Sequence, residues 1–212
     1  MIKGILFDLD GTLLYTLKDL HNAINYALKK NHLQEISIEM TRQFIGNGIE
    51  KLVYRAIEDK EKFDVVLDDF KFYYGLHGSE NTKPYDGIEK LLESLTNLDI
   101  KIGVVSNKYQ EGVDKICRPL FSKYTNIFIG ARKNINIKPA SDMVNIALNM
   151  MNLKNNECLF VGDSTVDIQT AKNSNMKSIG VLWGYKDVSD ATFTVNNPSE
   201  IINIILKENE NE

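Results

Sequence analysis

FDLDGTLL, residues 7–14, decides how this chain is read. The apolar run Ile5-Leu6-Phe7 leads straight into Asp8, Asp10 follows two residues later, and Gly11 and Thr12 come next. In a strand, residues i and i+2 point to the same face. Extended backbone through Asp8 and Asp10 therefore crowds two carboxylates into one spot. Anions that close call for a cation, a shared proton or full solvation. Gly11 permits a tight turn beside whatever sits there. A solvated turn is the plain alternative, since Asp, Gly and Thr are ordinary turn residues.

Outward from this stretch, residues 2–7 read as a buried strand. From about 16 to 81 the rhythm is helical: Leu17, Leu20, Ile24, Ala27 and Leu28 recur at helix spacing, as do Leu52, Val53, Ala56 and Ile57, and then Phe63, Val66, Leu67 and Phe70. Gly46-Asn47-Gly48 punctuates this block, and no strand is expected inside it. After Pro84, strands are expected at 100–105, 126–129, 158–161 and 178–182, with a short one near Phe193. Helices are expected at 88–95, 111–117, 139–151, 165–174 and 199–206. Strands alternating with helices give an α/β fold, a doubly wound parallel sheet of Rossmann-like type. The expected division is a core of residues 1–15 and 82–212, interrupted by a helical domain at 16–81. The polar tail KENENE is expected to fray.

The composition is that of an ordinary globular chain: 212 residues, 43% hydrophobic, 25% charged, net charge −4. That charge argues against a nucleic-acid partner. A small anionic ligand would be held by local donors. No apolar run approaches the ~18 residues of a membrane span, and the start of the chain does not read as a signal peptide. Cys117 and Cys158 lie among apolar residues without metal-ligand spacing, which suits free thiols in a reducing compartment. The expectation is a cytoplasmic protein without a membrane partner.

In open parallel sheets, ligands gather at the carboxyl ends of the strands. The expected strand ends carry Asp8 and Asp10, then Ser106, Asn107 and Lys108, then Lys138 from the loop NINIKPA, then Gly162, Asp163, Ser164 and Asp167. Asp163 and Asp167, at i and i+4, share one side of a helix start. Oxygen ligands without Cys or a suitably placed His point to a hard divalent cation, Mg²⁺. Ser106 is a hydroxyl donor and Lys138 a point charge, and both suit phosphoryl oxygens.

FDLDGTL, VVSNK, IKP and VGDSTVD, in this order, resemble the haloacid dehalogenase superfamily, with the helical block as its cap domain. IGNG at 45–48, PYDGI at 84–88 and GVLWGY at 180–185 make the chain most similar to the phosphoglycolate phosphatase-like group. The resemblance implies a Mg²⁺-dependent phosphatase working through an aspartyl-phosphate. It implies Asp8 as nucleophile and metal ligand, and Asp10 as acid and base whose carbonyl also binds the metal. Ser106 and Lys138 would hold the phosphoryl group, and Asp163 would be a second carboxylate ligand. Asp167 would serve the metal at one remove or orient Lys138. Thr12 would orient Asp10, and Thr12, Asn107, Gly46 and Asn47 would line the substrate site. The group commonly has Asp-Ser where this chain has Tyr15-Thr16.

The implied partner is a small phosphate ester, with 2-phosphoglycolate the first choice, and the chain is expected as a monomer or weak homodimer. A pyrophosphatase or a nucleotide or sugar-phosphate phosphatase would use the same core. A phosphosugar mutase, a phosphonate hydrolase and a phospho-aspartate signalling module are the further alternatives. Trp183 is expected to pack rather than to touch substrate.

Overall fold

The structure, a computed structural model, describes residues 1–210. The chain forms two compact units: Met1–Leu13 together with everything from Pro84 on, and Leu14–Lys83.

The larger unit is built on a parallel sheet. Its strands are β1 (Gly4–Phe7), β4 (Lys101–Tyr109), β5 (Phe128–Ala131), β6 (Cys158–Gly162), β7 (Lys177–Val181) and β8 (Phe193–Val195), in spatial order β5-β4-β1-β6-β7-β8. All pairings are parallel, with Gly4 opposite Lys101 on one side of β1 and opposite Cys158 on the other. The order therefore reverses at β1, and its carboxyl end is the switch point where such sheets bind ligands. The helices of this unit are α5 (Ile88–Asn97), α6 (Gln110–Phe121), α7 (Asp142–Met151), α8 (Thr165–Asn173) and α9 (Glu200–Glu210).

β1 is buried along its whole length, which explains its unbroken apolar run. Leu6 packs with Val105, Ile129 and Phe160 against Met143, Val144, Ala147 and Leu148 of α7 and Ala171 of α8. Each fully buried side chain of this size contributes roughly 1.5–3 kcal/mol of transfer free energy, so the sheet centre is a rigid base for the residues that follow it.

The smaller unit holds α1 (Leu17–Lys30), α2 (Ile38–Phe44), α3 (Ile49–Ala56) and α4 (Phe63–His77). The buried stripe of α1, Leu17, Leu20, Ala23, Ile24, Ala27 and Leu28, packs mainly on α4. Asp19, 2% exposed, accepts from the Asn81 N–H, the Asn81 amide and the Thr82 hydroxyl at 2.8–3.1 Å. Short strands β2 (Leu14–Tyr15) and β3 (Lys83–Pro84) pair where the chain leaves the sheet and returns.

Three expectations need adjustment. α2 was not foreseen. Ser37 caps it by accepting from the Met40 N–H, and Thr41 is its buried residue, so it lacks the apolar stripe that marks a helix. β4 runs past Val105 to Tyr109 through a bulge, with Val105 opposite Ile129 and Tyr109 opposite Ala131. The tail expected to fray is helical to Glu210, and residues 211 and 212 lie outside the described part.

Candidate active site

Asp8 follows β1 directly, and its N–H continues the ladder onto Val161 O at 2.9 Å. Leu9 O then accepts from the N–H groups of Thr12 and Leu13, so the backbone turns at once. Gly11 makes this possible at φ 92°. A Cβ there would lie 2.2 Å from Asp163 Oδ2, so both the conformation and the space require glycine.

Lys138 enters from the loop before α7 and is 3% exposed. Its Nζ lies 2.5 Å from Asp8 Oδ1 and 2.6 Å from Asp167 Oδ1. Its backbone is clamped in both directions by Asn107: the side-chain amide donates to Lys138 O at 3.0 Å, and Asn107 Oδ1 accepts from the Lys138 N–H at 2.8 Å. Asn107 lies within the stretch of β4 where its register against β5 shifts, between Val105 and Tyr109. Asp167 uses its other oxygen on Ser164, accepting from the hydroxyl at 2.5 Å and the N–H at 3.1 Å. Ser164 in turn caps α8, and this reciprocal box fixes the carboxylate that fixes the lysine.

Asp163, 3% exposed, accepts from the Tyr185 N–H through Oδ2 at 2.7 Å. Gly184 lets that loop approach, since a Cβ on it would meet Asp163 Cβ at 2.2 Å. Next to it, the Trp183 indole donates to Thr12 O at 3.1 Å. Trp183 thus ties the β7–β8 loop to the turn after β1.

These acids repel one another. Burial pushes the Asp8 carboxyl up to about 7, Asp167 and Asp10 adding to the effect and Lys138 opposing it. Asp163 is held well above the usual carboxylate range by burial, then by Asp167 and Asp8. Burial would lower the Lys138 ammonium, but Asp167 and Asp8 outweigh it and hold it above its ordinary value. One lysine therefore does not neutralise the cluster. Oxygens of Asp8, Asp163 and Asp167 lie within 4.8 Å of one another, an all-oxygen donor set that fits a hard cation. With both Asp167 oxygens engaged, Asp8 and Asp163 are the carboxylates left to face it.

Asp10 Oδ1 lies 3.2 Å from Lys108 Nζ, a pairing the sequence reading did not foresee. Ser106, 1% exposed, accepts from the Lys108 N–H at 3.2 Å through its hydroxyl. The Thr12 hydroxyl, expected to orient Asp10, is buried without a hydrogen-bond partner among the described residues.

Asp8, Asp10, Thr12, Ser106, Asn107, Lys138, Asp163 and Asp167 thus all belong to the larger unit, at the carboxyl edge of its sheet. Gly46 and Asn47 belong to the helical unit, where Asn47 Oδ1 accepts from Arg55 at 2.9 Å. Asn107, expected among the substrate-binding residues, has its amide engaged on the Lys138 main chain. Neither that clamp nor Lys108–Asp10 is visible as a motif, because each joins residues far apart in the sequence.

The sequence profile of the haloacid dehalogenase-like hydrolases matches residues 5–181. A phosphoglycolate phosphatase of Aquifex aeolicus is 32% identical over 96% of this chain and 97% of its own length. An N-acetylmuramic acid 6-phosphate phosphatase of Pseudomonas aeruginosa is 26% identical over 96% and 95%. A crystal structure of a predicted phosphoglycolate phosphatase from Haemophilus somnus superposes with a TM-score of 0.88 at 28% identity, covering 96% of this chain and 98% of that one. A match that runs from β1 to β7 makes this chain a member of the haloacid dehalogenase-like hydrolases, a phosphatase of the phosphoglycolate phosphatase-like kind.

Proposed function

We propose that the protein is a Mg²⁺-dependent phosphomonoesterase that cleaves a small phosphorylated metabolite through an aspartyl-phosphate on Asp8, with 2-phosphoglycolate as the first substrate to test. The observation that carries this reading is the buried Asp8 carboxylate at the switch point, held at 2.5 Å by Lys138 beside further acids.

Asp8 attacks phosphorus, and the bond to the leaving oxygen breaks. Asp10 supplies the proton to that oxygen. Water then attacks the same phosphorus, Asp10 takes its proton, and Asp8 is released with inorganic phosphate. Lys138 turns from Asp8 to the phosphoryl oxygens, and Ser106 donates to them. Asp167 and Asn107 keep Lys138 in place from its two ends. Asp8, Asp163 and the Asp10 carbonyl would hold Mg²⁺, which neutralises charge on the acids and the phosphoryl group. The helical unit serves as the cap that selects substrate, with Gly46 and Asn47 as the residues to test in it. Two buried free thiols, Cys117 and Cys158, suit a reducing, cytoplasmic setting.

Phosphate release is measured from 2-phosphoglycolate, pyrophosphate, nucleotides and sugar phosphates, with Mg²⁺ and with chelator. Mg²⁺-dependent turnover that falls by about a thousandfold or more in Asp8→Asn is the expected result. Stable phosphorylation of Asp8 without turnover overturns it.

A further inference from the structure

Lys108 has no part in the chemistry above, yet its ammonium is buried beside the acid that must meet the leaving group. Its side chain is 2% exposed, and Nζ lies 3.2 Å from Asp10 Oδ1. Among the described residues, Lys108 and Lys138 are the buried lysines, and they face different acids. Lys138 bonds Asp8 and Asp167, on the phosphoryl side. Lys108 faces Asp10, on the leaving-group side. Its root is fixed in the β4 bulge, where its N–H donates to Ser106.

We propose that Lys108 is a specificity residue that pairs with a carboxylate carried on the leaving group, one carbon from the ester oxygen. The inference rests on the phosphatase reading above and adds a substrate feature to it. For a proton to pass, the ester oxygen must come within about 2.6–3.2 Å of an Asp10 oxygen. With Lys108 Nζ 3.2 Å from Asp10 Oδ1, a carboxylate attached one carbon further on can come within ion-pairing reach, ~4 Å, of the ammonium. Among the described residues Asp10 Oδ1 has no hydrogen-bond partner, so its 3.2 Å pairing with Lys108 is an ion pair rather than an aligned hydrogen bond. A carboxylate-bearing leaving group needs the help. A second anion entering beside Asp8 and Asp10 is repelled by both, and a chain of net charge −4 offers it no general attraction. A neutral leaving group gains nothing from Lys108.

The test is a ratio: kcat/KM for 2-phosphoglycolate over kcat/KM for ethyl phosphate, which lacks the carboxylate, with pyrophosphate as a third arm. The wild type should prefer 2-phosphoglycolate to both. In Lys108→Met, which keeps the length and removes the charge, the ratio should fall by about tenfold or more, and Lys108→Arg should restore most of it. A wild type that cleaves ethyl phosphate or pyrophosphate as well as 2-phosphoglycolate overturns the inference without any variant. So does a Lys108→Met enzyme that loses both activities in parallel, because Lys108 then acts only as the neighbour of Asp10. A wild type that cleaves no ester overturns the phosphatase reading itself, and this inference with it.

Discussion

Asp167 touches both a lysine and a helix cap, and that double use defines what its loss would do. Asp167→Asn retains an oxygen for Ser164 but removes the charge opposite Lys138. We expect kcat to fall by about 10–100-fold, with KM changed much less; steady-state kinetics on the best ester checks this. Asp8 carries a second expectation. Its native carboxyl is raised from 3.8 to about 7, so between those values the native state binds more protons than the unfolded state. Its stabilising share is fully present below that window and is lost as pH rises through it. Asp163 acts with the same sign. Urea midpoints in chelator should therefore fall with pH across this window relative to Asp8→Asn, and Mg²⁺ should flatten the slope. Equal slopes in both proteins would contradict this account. At this scale the sequence was most informative. Asp8, Asp10 and Asp163 come after strands, Asp167 stands in the first turn of α8 and Lys138 lies in the loop before α7, so their gathering at one sheet edge is legible from the order of the elements. What it hid were partners: Asn107 on the Lys138 backbone, the Tyr185 N–H on Asp163, and Lys108 beside Asp10.

Elements hold those partners in place, and here the β4 bulge and the β7–β8 loop matter most. Neither is visible as hydrophobic periodicity. The bulge exists because β5 resumes its pairing at Tyr109 after leaving it at Val105, a relation between strands rather than a local signal. α2 escaped notice for a related reason, since Thr41 is its buried residue. The regular strands and helices were legible because their apolar residues recur with the period of the element. Two substitutions test the irregular parts. Asn107→Ala removes both bonds to the Lys138 main chain and should destabilise the protein by about 1–3 kcal/mol while lowering kcat. Gly184→Ala places a methyl 2.2 Å from Asp163 Cβ. Overpacking of that kind costs about 1–3 kcal/mol, and weaker Mg²⁺ retention should accompany it, read by titrating activity with the metal. A Gly184→Ala protein with unchanged melting and unchanged metal dependence would mean the loop yields freely.

The whole molecule has two cysteines, and both report on it. Burial pushes the Cys158 thiol up to about 12 and the Cys117 thiol higher still, which disfavours the thiolate in the native state. Alkylation should be slow natively and reach both sites in denaturant, with labelling rates tracking the population of opened molecules. Rapid native labelling would contradict the burial. The sequence changes rhythm near Pro84, but nothing in it marks the pairing of β2 with β3. That pairing has a consequence for descent and for engineering. The inserted block begins and ends on paired strands, and Asp19 ties its first helix to its last residues. A segment whose two ends meet behaves like a cartridge: it can be exchanged without rerouting the sheet. The inserted helices are then free to drift, or to be grafted from a relative, while the sheet and the acids at its carboxyl edge are inherited unchanged.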